Sequence, residues 1–255
     1  MSSPAPPTPA VLVIAGSDSS GGAGLVRDLR TLRDQAVEAV CAVTAVTAQS
    51  HSRVCDVHPV PPELIRAQIL CALQSGRVKA VKIGMLGTAG AVEAVAQALA
   101  EVPDIPVVLD PVLRSSSGGE LLDEAGLRAM QQKLFPLTSL LTPNLPEAAV
   151  LCGAQSQPRP DVPTRLAWAA HLLALGPKAV LVKGGHASDA EAADLLAGAD
   201  GARSWLASPR LPGSVRGTGC ALASGIAAGL ARDEPLEEAC WIARRYILDL
   251  LADTA

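Results

Sequence analysis

Apolar residues gather in short runs at 11–15, 37–46, 78–83, 107–109, 139–141 and 179–182. Runs of this kind predict strands covered on both faces, as in parallel sheets. Between them the rhythm changes, and segments 62–74, 89–100, 124–133 and 165–175 repeat their apolar residues at helical intervals. Pro61 and Pro62, followed by Glu63, suit a helix opening. Strands alternating with helices predict an α/β fold, a mostly parallel central sheet with helices on both faces. The stretch 192–212 is less regular, with Gly198, Gly201, Pro209 and Pro212, and predicts short antiparallel strands. Beyond it, Ala221, Ala223, Ser224, Gly225, Ala227 and Ala228 predict a helix packed tightly against a neighbour.

Composition narrows this picture. A chain of 255 residues can bury a large core as one domain, expected over 10–255, with 1–9 as a flexible Pro- and Ser-rich tail lacking signal-peptide features. Apolar residues make up 49% and aromatics only 2%, so the core must be built from Ala, Val, Leu and Ile. A net charge of -4 predicts neither a nucleic-acid nor an anionic-membrane partner. No apolar run approaches the roughly 20 residues of a membrane span. Cys41, Cys55, Cys71, Cys152, Cys220 and Cys240 form no CxxC pair, and most are expected as buried reduced thiols. The expected class is a cytoplasmic enzyme or binding protein.

The polar and Gly-rich motifs follow the strands, where open α/β sheets collect ligands. After the first comes Gly16-Ser17-Asp18-Ser19-Ser20-Gly21-Gly22-Ala23-Gly24, then a helix containing Asp28. It lacks the GK[ST] of a Walker A loop and the third Gly of a dinucleotide fingerprint. Later strands are followed by Lys82-Ile83-Gly84-Met85-Leu86-Gly87, Asp110-Pro111-Val112, Thr142-Pro143-Asn144-Leu145-Pro146-Glu147 and Lys183-Gly184-Gly185-His186. Each also has a plain structural reading, with Asp110 capping a turn, Asn144 and Glu147 opening a helix, and Lys183 a solvated end residue. Together they suggest more. Asp110 and Glu147 can hold Mg2+ while phosphates complete its shell, and Lys183 can meet phosphate oxygens. Gly217-Thr218-Gly219-Cys220 opens the small-residue helix, so its free amides form an anion cradle. The same field is expected to lower the Cys220 pKa and make it a thiolate or base; the other reading is a Gly-rich turn before a buried helix, with an inert Cys.

The ordered set AGSDSSGGAG, TAQ, VKIGMLG, LDPV, TPNLPEA, VKGGH and GTGC resembles the hydroxymethylpyrimidine/phosphomethylpyrimidine kinases of thiamine biosynthesis, members of the ribokinase-like kinases. The resemblance covers roughly residues 10–250. It implies a doubly wound α/β fold, an ATP–Mg2+ donor, a hydroxymethylpyrimidine acceptor phosphorylated once or twice, and a homodimer. Carried onto this chain, it puts Gly16, Ala23 and Asp28 near the pyrimidine. Gln49 would hydrogen-bond the aminopyrimidine edge, and Met85 and Val112 would wall the ring. Asp110, Asn144 and Glu147 would organise Mg2+, Lys183, Asn144 and Thr218 would meet the ATP, and Gly217, Thr218 and Gly219 would form the anion hole. Cys220 stands where sugar-kinase relatives carry an Asp base.

The chain departs from the family pattern near the acceptor. TAQNT-x-GV has become Thr47-Ala48-Gln49-Ser50-His51-Ser52-Arg53-Val54, the usual His before the anion hole is Arg216, and the usual Gln of the first helix is Val26. AKSG after LDPV has become Leu113-Arg114-Ser115-Ser116-Ser117-Gly118. Arg53 and Arg114 are expected as surface charges, His51, His58 and His171 as loop or surface residues, and Trp241 and Tyr246 as packing residues. A pyridoxal or pyridoxine kinase, or a non-catalytic pyrimidine-binding protein on the same fold, are the competing readings.

Overall fold

The computed structural model describes residues 8–253 except 51–52, 116–117, 156, 158–159, 186–190 and 212–214. His51, Ser52, Ser116, Ser117, His186, Pro212 and most of the expected tail fall outside the described residues. The chain runs β1 (Ala10–Asp18), α1 (Gly24–Asp34), β2 (Glu38–Gln49), β3 (Val54–Pro59), α2 (Pro62–Leu73), β4 (Val78–Ile83), α3 (Ala89–Leu99), β5 (Val107–Leu109) and α4 (Glu124–Ala129). It continues with β6 (Leu140–Leu141), α5 (Leu145–Leu151), α6 (Val162–Ala174), β7 (Ala179–Val182), β8 (Glu191–Gly198), β9 (Arg203–Pro209), α7 (Thr218–Ala231) and α8 (Leu236–Ala252).

The strands form one nine-stranded sheet in the order β3-β2-β1-β4-β5-β6-β7-β8-β9. From β2 across to β7 all pairings are parallel, while β3, β8 and β9 join antiparallel. β1 shows why such runs pack on both sides. Leu12 and Ile14 enter the core under α2, α3, α5 and α6, whereas Val11, Val13 and Ala15 enter the core under α1, α7 and α8. Small residues on α7 let α8 come close, and a Cβ on Gly225 would lie 2.9 Å from the Ala243 Cβ.

The apolar runs locate β4, β5 and β7 to the residue, and the antiparallel pair β8–β9 lies where the irregular stretch predicts it. Five expectations need correction. β3, on the sheet edge with mostly exposed residues, was not expected, and β2 is longer than its apolar run and only half covered. Helix α6 opens three residues early because Asp161 caps it, accepting from the Thr164 N–H at 2.9 Å. Among the six free cysteines only Cys240 is buried; Cys41, Cys55 and Cys71 are exposed because they sit on β2, β3 and the outer face of α2. Trp241 is 41% exposed rather than packed, whereas the Tyr246 hydroxyl donates to Asp34.

Candidate active site

The chain reverses direction across the sheet between β1 and β4, and a parallel sheet opens a crevice at such a switch point. A cleft of about 1120 Å³ lies there, lined from the carboxyl ends of β1, β2, β4, β5, β6 and β7 together with α7, α8 and the segment around Arg216. Gly16, Ala23, Gln49, Met85 and Val112 share its wall. The Gly-rich loop needs Gly24, whose φ is +55° and whose Cβ would lie 2.4 Å from the Gly16 carbonyl oxygen. Thr47 Oγ1 donates to the Ser17 carbonyl at 2.7 Å, and Gln49 exchanges two hydrogen bonds with Ser19 through its backbone. These bonds set the end of β2, with Gln49 at the cleft, against the loop.

At the other end, Asp110, Asn144, Glu147, Lys183 and the turn at Gly217, Thr218, Gly219 and Cys220 converge in the same cleft. Lys183 Nζ lies 2.8 Å from Asp110 Oδ1, and both groups press on Gly219. A Cβ there would stand 3.4 Å from Lys183 Nζ and 3.7 Å from Asp110 Oδ2. Gly217 caps α7 with φ +76°, and its Cβ would lie 2.5 Å from the Gly22 carbonyl, so the turn sits directly on the Gly-rich loop. The structural reading of Asn144 and Glu147 also holds. They form a reciprocal capping box, each accepting from the other's backbone N–H at 2.8 Å. Burial pushes Glu147 up to about 7; the nearby Lys183 opposes that shift and Asp110 adds to it.

Two sequence expectations change. Asp28 does not reach the cleft. It is fully buried beneath it, with Lys82 Nζ at 2.7 Å and Ser224 Oγ at 2.8 Å, because position 28 falls on the buried stripe of α1 with Leu25 and Leu32. The helix start does not lower Cys220 either. Burial pushes its thiol up to about 11, and Asp28 and Asp110 add to this, while Lys82 opposes it. Arg53 and Arg114 are exposed, as expected.

Sequence reasoning passed over Lys82, Asp18, Asp194 and Arg244. Burial works against the Lys82 charge, but Asp28, Cys220 and Asp110 outweigh it and hold the ammonium firmly protonated. Asp194 accepts from the Gly184 N–H at 2.6 Å and pairs with Arg244 of α8, so β8 and α8 brace the loop that carries Lys183. Gly184 must be glycine, since a Cβ would sit 1.9 Å from the Ala193 carbonyl oxygen. A readable signal existed for this pair, an isolated Asp in an apolar β8 and an Arg inside the apolar half of α8. Pro146, Val150, Leu222, Ile247, Leu248 and Leu251 give the same cleft an apolar part.

The family model for phosphomethylpyrimidine kinase matches residues 18–255. The chain belongs to the phosphomethylpyrimidine kinase family. A hydroxymethylpyrimidine/phosphomethylpyrimidine kinase of Streptomyces coelicolor is 42% identical over 251 residues, covering 97% of this chain and 91% of the relative. Among solved structures, the phosphomethylpyrimidine kinase of Clostridium difficile superposes with a TM-score of 0.82 at 33% identity, covering 95% of this chain and 99% of that one. An ADP complex of Bacillus subtilis pyridoxal kinase superposes with a TM-score of 0.85 at 31% identity, covering 95% and 91%. The ribokinase-like expectation for the fold is therefore met, and this family member is a kinase.

Proposed function

We propose that the protein transfers the γ-phosphoryl group of ATP to the hydroxymethyl oxygen of 4-amino-5-hydroxymethyl-2-methylpyrimidine, and then phosphorylates the resulting monophosphate, in thiamine diphosphate synthesis. The observation that carries this reading is the pairing, within one cleft, of a hydrogen-bonding amide at Gln49 with Lys183 and Asp110 packed on the amide-rich turn at Gly219. An amide side chain offers a donor and an acceptor together, which matches a ring nitrogen beside an exocyclic amine. Met85 and Val112 stand on the same wall for the ring faces.

In the first transfer the acceptor oxygen bonds to the γ-phosphorus while the bond to the β,γ-bridging oxygen breaks, and ADP leaves. Lys183 and the amides of Gly217, Thr218 and Gly219 stabilise charge on the transferring group. Cys220, in its thiolate form, takes the hydroxyl proton. In the second transfer a phosphate oxygen of the monophosphate is the nucleophile.

The residues fit Mg2+. Asp110 and Glu147 supply two carboxylates, one of them held near neutrality by burial, and among the described residues no group of three or more His, Cys, Asp or Glu forms a dedicated metal cage. That suits a cation that keeps its waters and binds through one or two carboxylates plus phosphates. When bound, it would neutralise charge on the donor phosphates. Asn144 holds Glu147 in place through the capping box. We also read the protein as cytoplasmic and homodimeric, with no nucleic-acid or membrane partner.

An ADP-coupled assay with the hydroxymethylpyrimidine, its monophosphate and pyridoxal tests this reading. Turnover of both pyrimidines, with pyridoxal slower, is expected. Preference for pyridoxal would favour the activity named for the Bacillus subtilis neighbour, and saturable pyrimidine binding without turnover would make this a binding protein.

A further inference from the structure

Arg216 immediately precedes the anion-hole turn, and its side chain folds back across the acceptor end of the cleft. Nη1 donates to Ser20 Oγ at 3.2 Å and to the Ser50 carbonyl at 3.1 Å, while Nη2 lies 3.6 Å from Asp18 Oδ2. Ser20 and Asp18 belong to the Gly-rich loop, Ser50 follows β2 next to Gln49, and Gly217 begins the turn. One guanidinium therefore ties three separate walls of the cleft together. It is well placed to do so rigidly, with its side chain only 19% exposed and that of Asp18 only 4%.

The charge matters as much as the reach. The Asp18 carboxylate builds the Gly-rich loop, accepting from the Ser20 N–H at 2.8 Å, the Ser20 hydroxyl at 2.7 Å and the Ala23 N–H at 2.9 Å. That leaves a buried negative charge in the wall of the cleft, on the loop that Ser19 ties to Gln49. A counterion beside it steadies that loop, and a planar guanidinium can serve several acceptors at once where an ammonium presents a single centre. The contact between Gly217 and Gly22 already joins the turn to the loop. What Arg216 adds is the link to Ser50, and through it a fixed height for Gln49.

We propose that Arg216 is a positioning residue for the acceptor: its guanidinium holds the Gly-rich loop, the end of β2 and the anion-hole turn in one arrangement and neutralises Asp18. The proposal rests on the pyrimidine-kinase reading above, because it acts through Gln49.

Steady-state kinetics on Arg216→Gln and Arg216→Lys, with melting curves, test it. Arg216→Gln is expected to raise the acceptor KM by about tenfold to a hundredfold, the scale of losing hydrogen bonds to a charged donor, with ATP KM within about threefold of wild type. Arg216→Lys should recover part of the loss, since it restores the charge and one bond. A structural role alone would lower the melting temperature without separating the two KM values. An acceptor KM within about threefold of wild type in both variants, or an equal rise in both KM values, overturns the proposal. If Arg216→Gln does not fold, Arg216→Lys carries the comparison. Absence of pyrimidine turnover in the wild-type protein would instead overturn the functional reading beneath it.

Discussion

Lys82 and Asp28 form an ion pair with neither side chain exposed, Nζ to Oδ2 at 2.7 Å, beneath the turn that carries Cys220. The pair joins β4 to α1, and Ser224 Oγ brings in α7 by donating to the other carboxylate oxygen. Two charges taken out of water are held only by each other and these bonds, so removing one strands the other. Lys82→Met is expected to cost about 3–5 kcal/mol of unfolding free energy, and the double variant with Asp28→Asn should recover most of it. Urea unfolding of the two proteins checks this, and a loss below about 1 kcal/mol in Lys82→Met would show that the pair contributes no more than an exposed one.

The raised Cys220 thiol gives the proposed base role a pH signature. A pKa of about 11 leaves the group almost wholly protonated at neutrality, and each unit of pH below that value cuts the thiolate tenfold. As the base, Cys220 should make kcat climb with pH between about 7 and 9 without a plateau, and Cys220→Ser should lose about 10²–10⁴ in kcat. A flat wild-type profile, with more than about a tenth of kcat kept by the serine variant, would reduce the turn to an anion cradle.

Gln49→Ala should raise the acceptor KM by about tenfold or more while the ATP KM changes little, because it leaves a paired group unsatisfied in the pocket. Binding of the pyrimidine followed by calorimetry gives the same answer without turnover. Equal acceptor affinity in the variant would move recognition onto another part of the cleft wall.

Glu147 couples activity and stability in opposite senses. Its folded-state pKa is raised from 4.5 to about 7, so its favourable contribution is complete below about 4.5 and lost as pH rises through about 7. At pH 8 the folded chain therefore carries a desolvated carboxylate that a glutamine does not. Glu147→Gln keeps an oxygen to accept from the Asn144 N–H, so its melting temperature at pH 8 should equal or exceed that of wild type. Turnover should nonetheless fall by an amount worth several kcal/mol if the carboxylate serves Mg2+. Near-normal kcat at saturating Mg2+ would leave Glu147 as a helix cap only.

The legible parts of this molecule are those where burial acts on contiguous residues. β4, β5 and β7 are covered on both faces, so their apolar runs begin and end with the strands. β3 left no such trace because an edge strand keeps exposed residues such as Cys55, Asp56 and His58. Strand-end motifs mark Asp110, Glu147, Lys183 and the Gly217–Cys220 turn, and these meet in one cleft because a parallel sheet delivers those ends to one place. Side-chain direction was harder to read. Asp28 stands beside a Gly-rich loop in the sequence but one helical turn from Leu25 and Leu32, and that spacing turns it into the core. The field at Cys220 is hard to read for a related reason, because a helix start says nothing of the burial that raises the thiol or of the carboxylates that other elements bring to it.

The cleft draws on the ends of six adjacent strands that run from residue 10 to residue 182, with its last walls from α7 and α8. No stretch of the chain holds enough of it to bind both substrates. Cut at the exposed turn near Asp104, the protein would yield one piece with Gln49 and the Gly-rich loop and another with Asp110, Lys183 and the anion-hole turn. Neither piece alone holds both the Gln49 wall and the Lys183 end of the cleft, and the central pairing of β4 with β5 would have to form between them. Activity recovered on mixing would report reassembly of the sheet itself, which makes phosphoryl transfer a direct measure of folding in this protein.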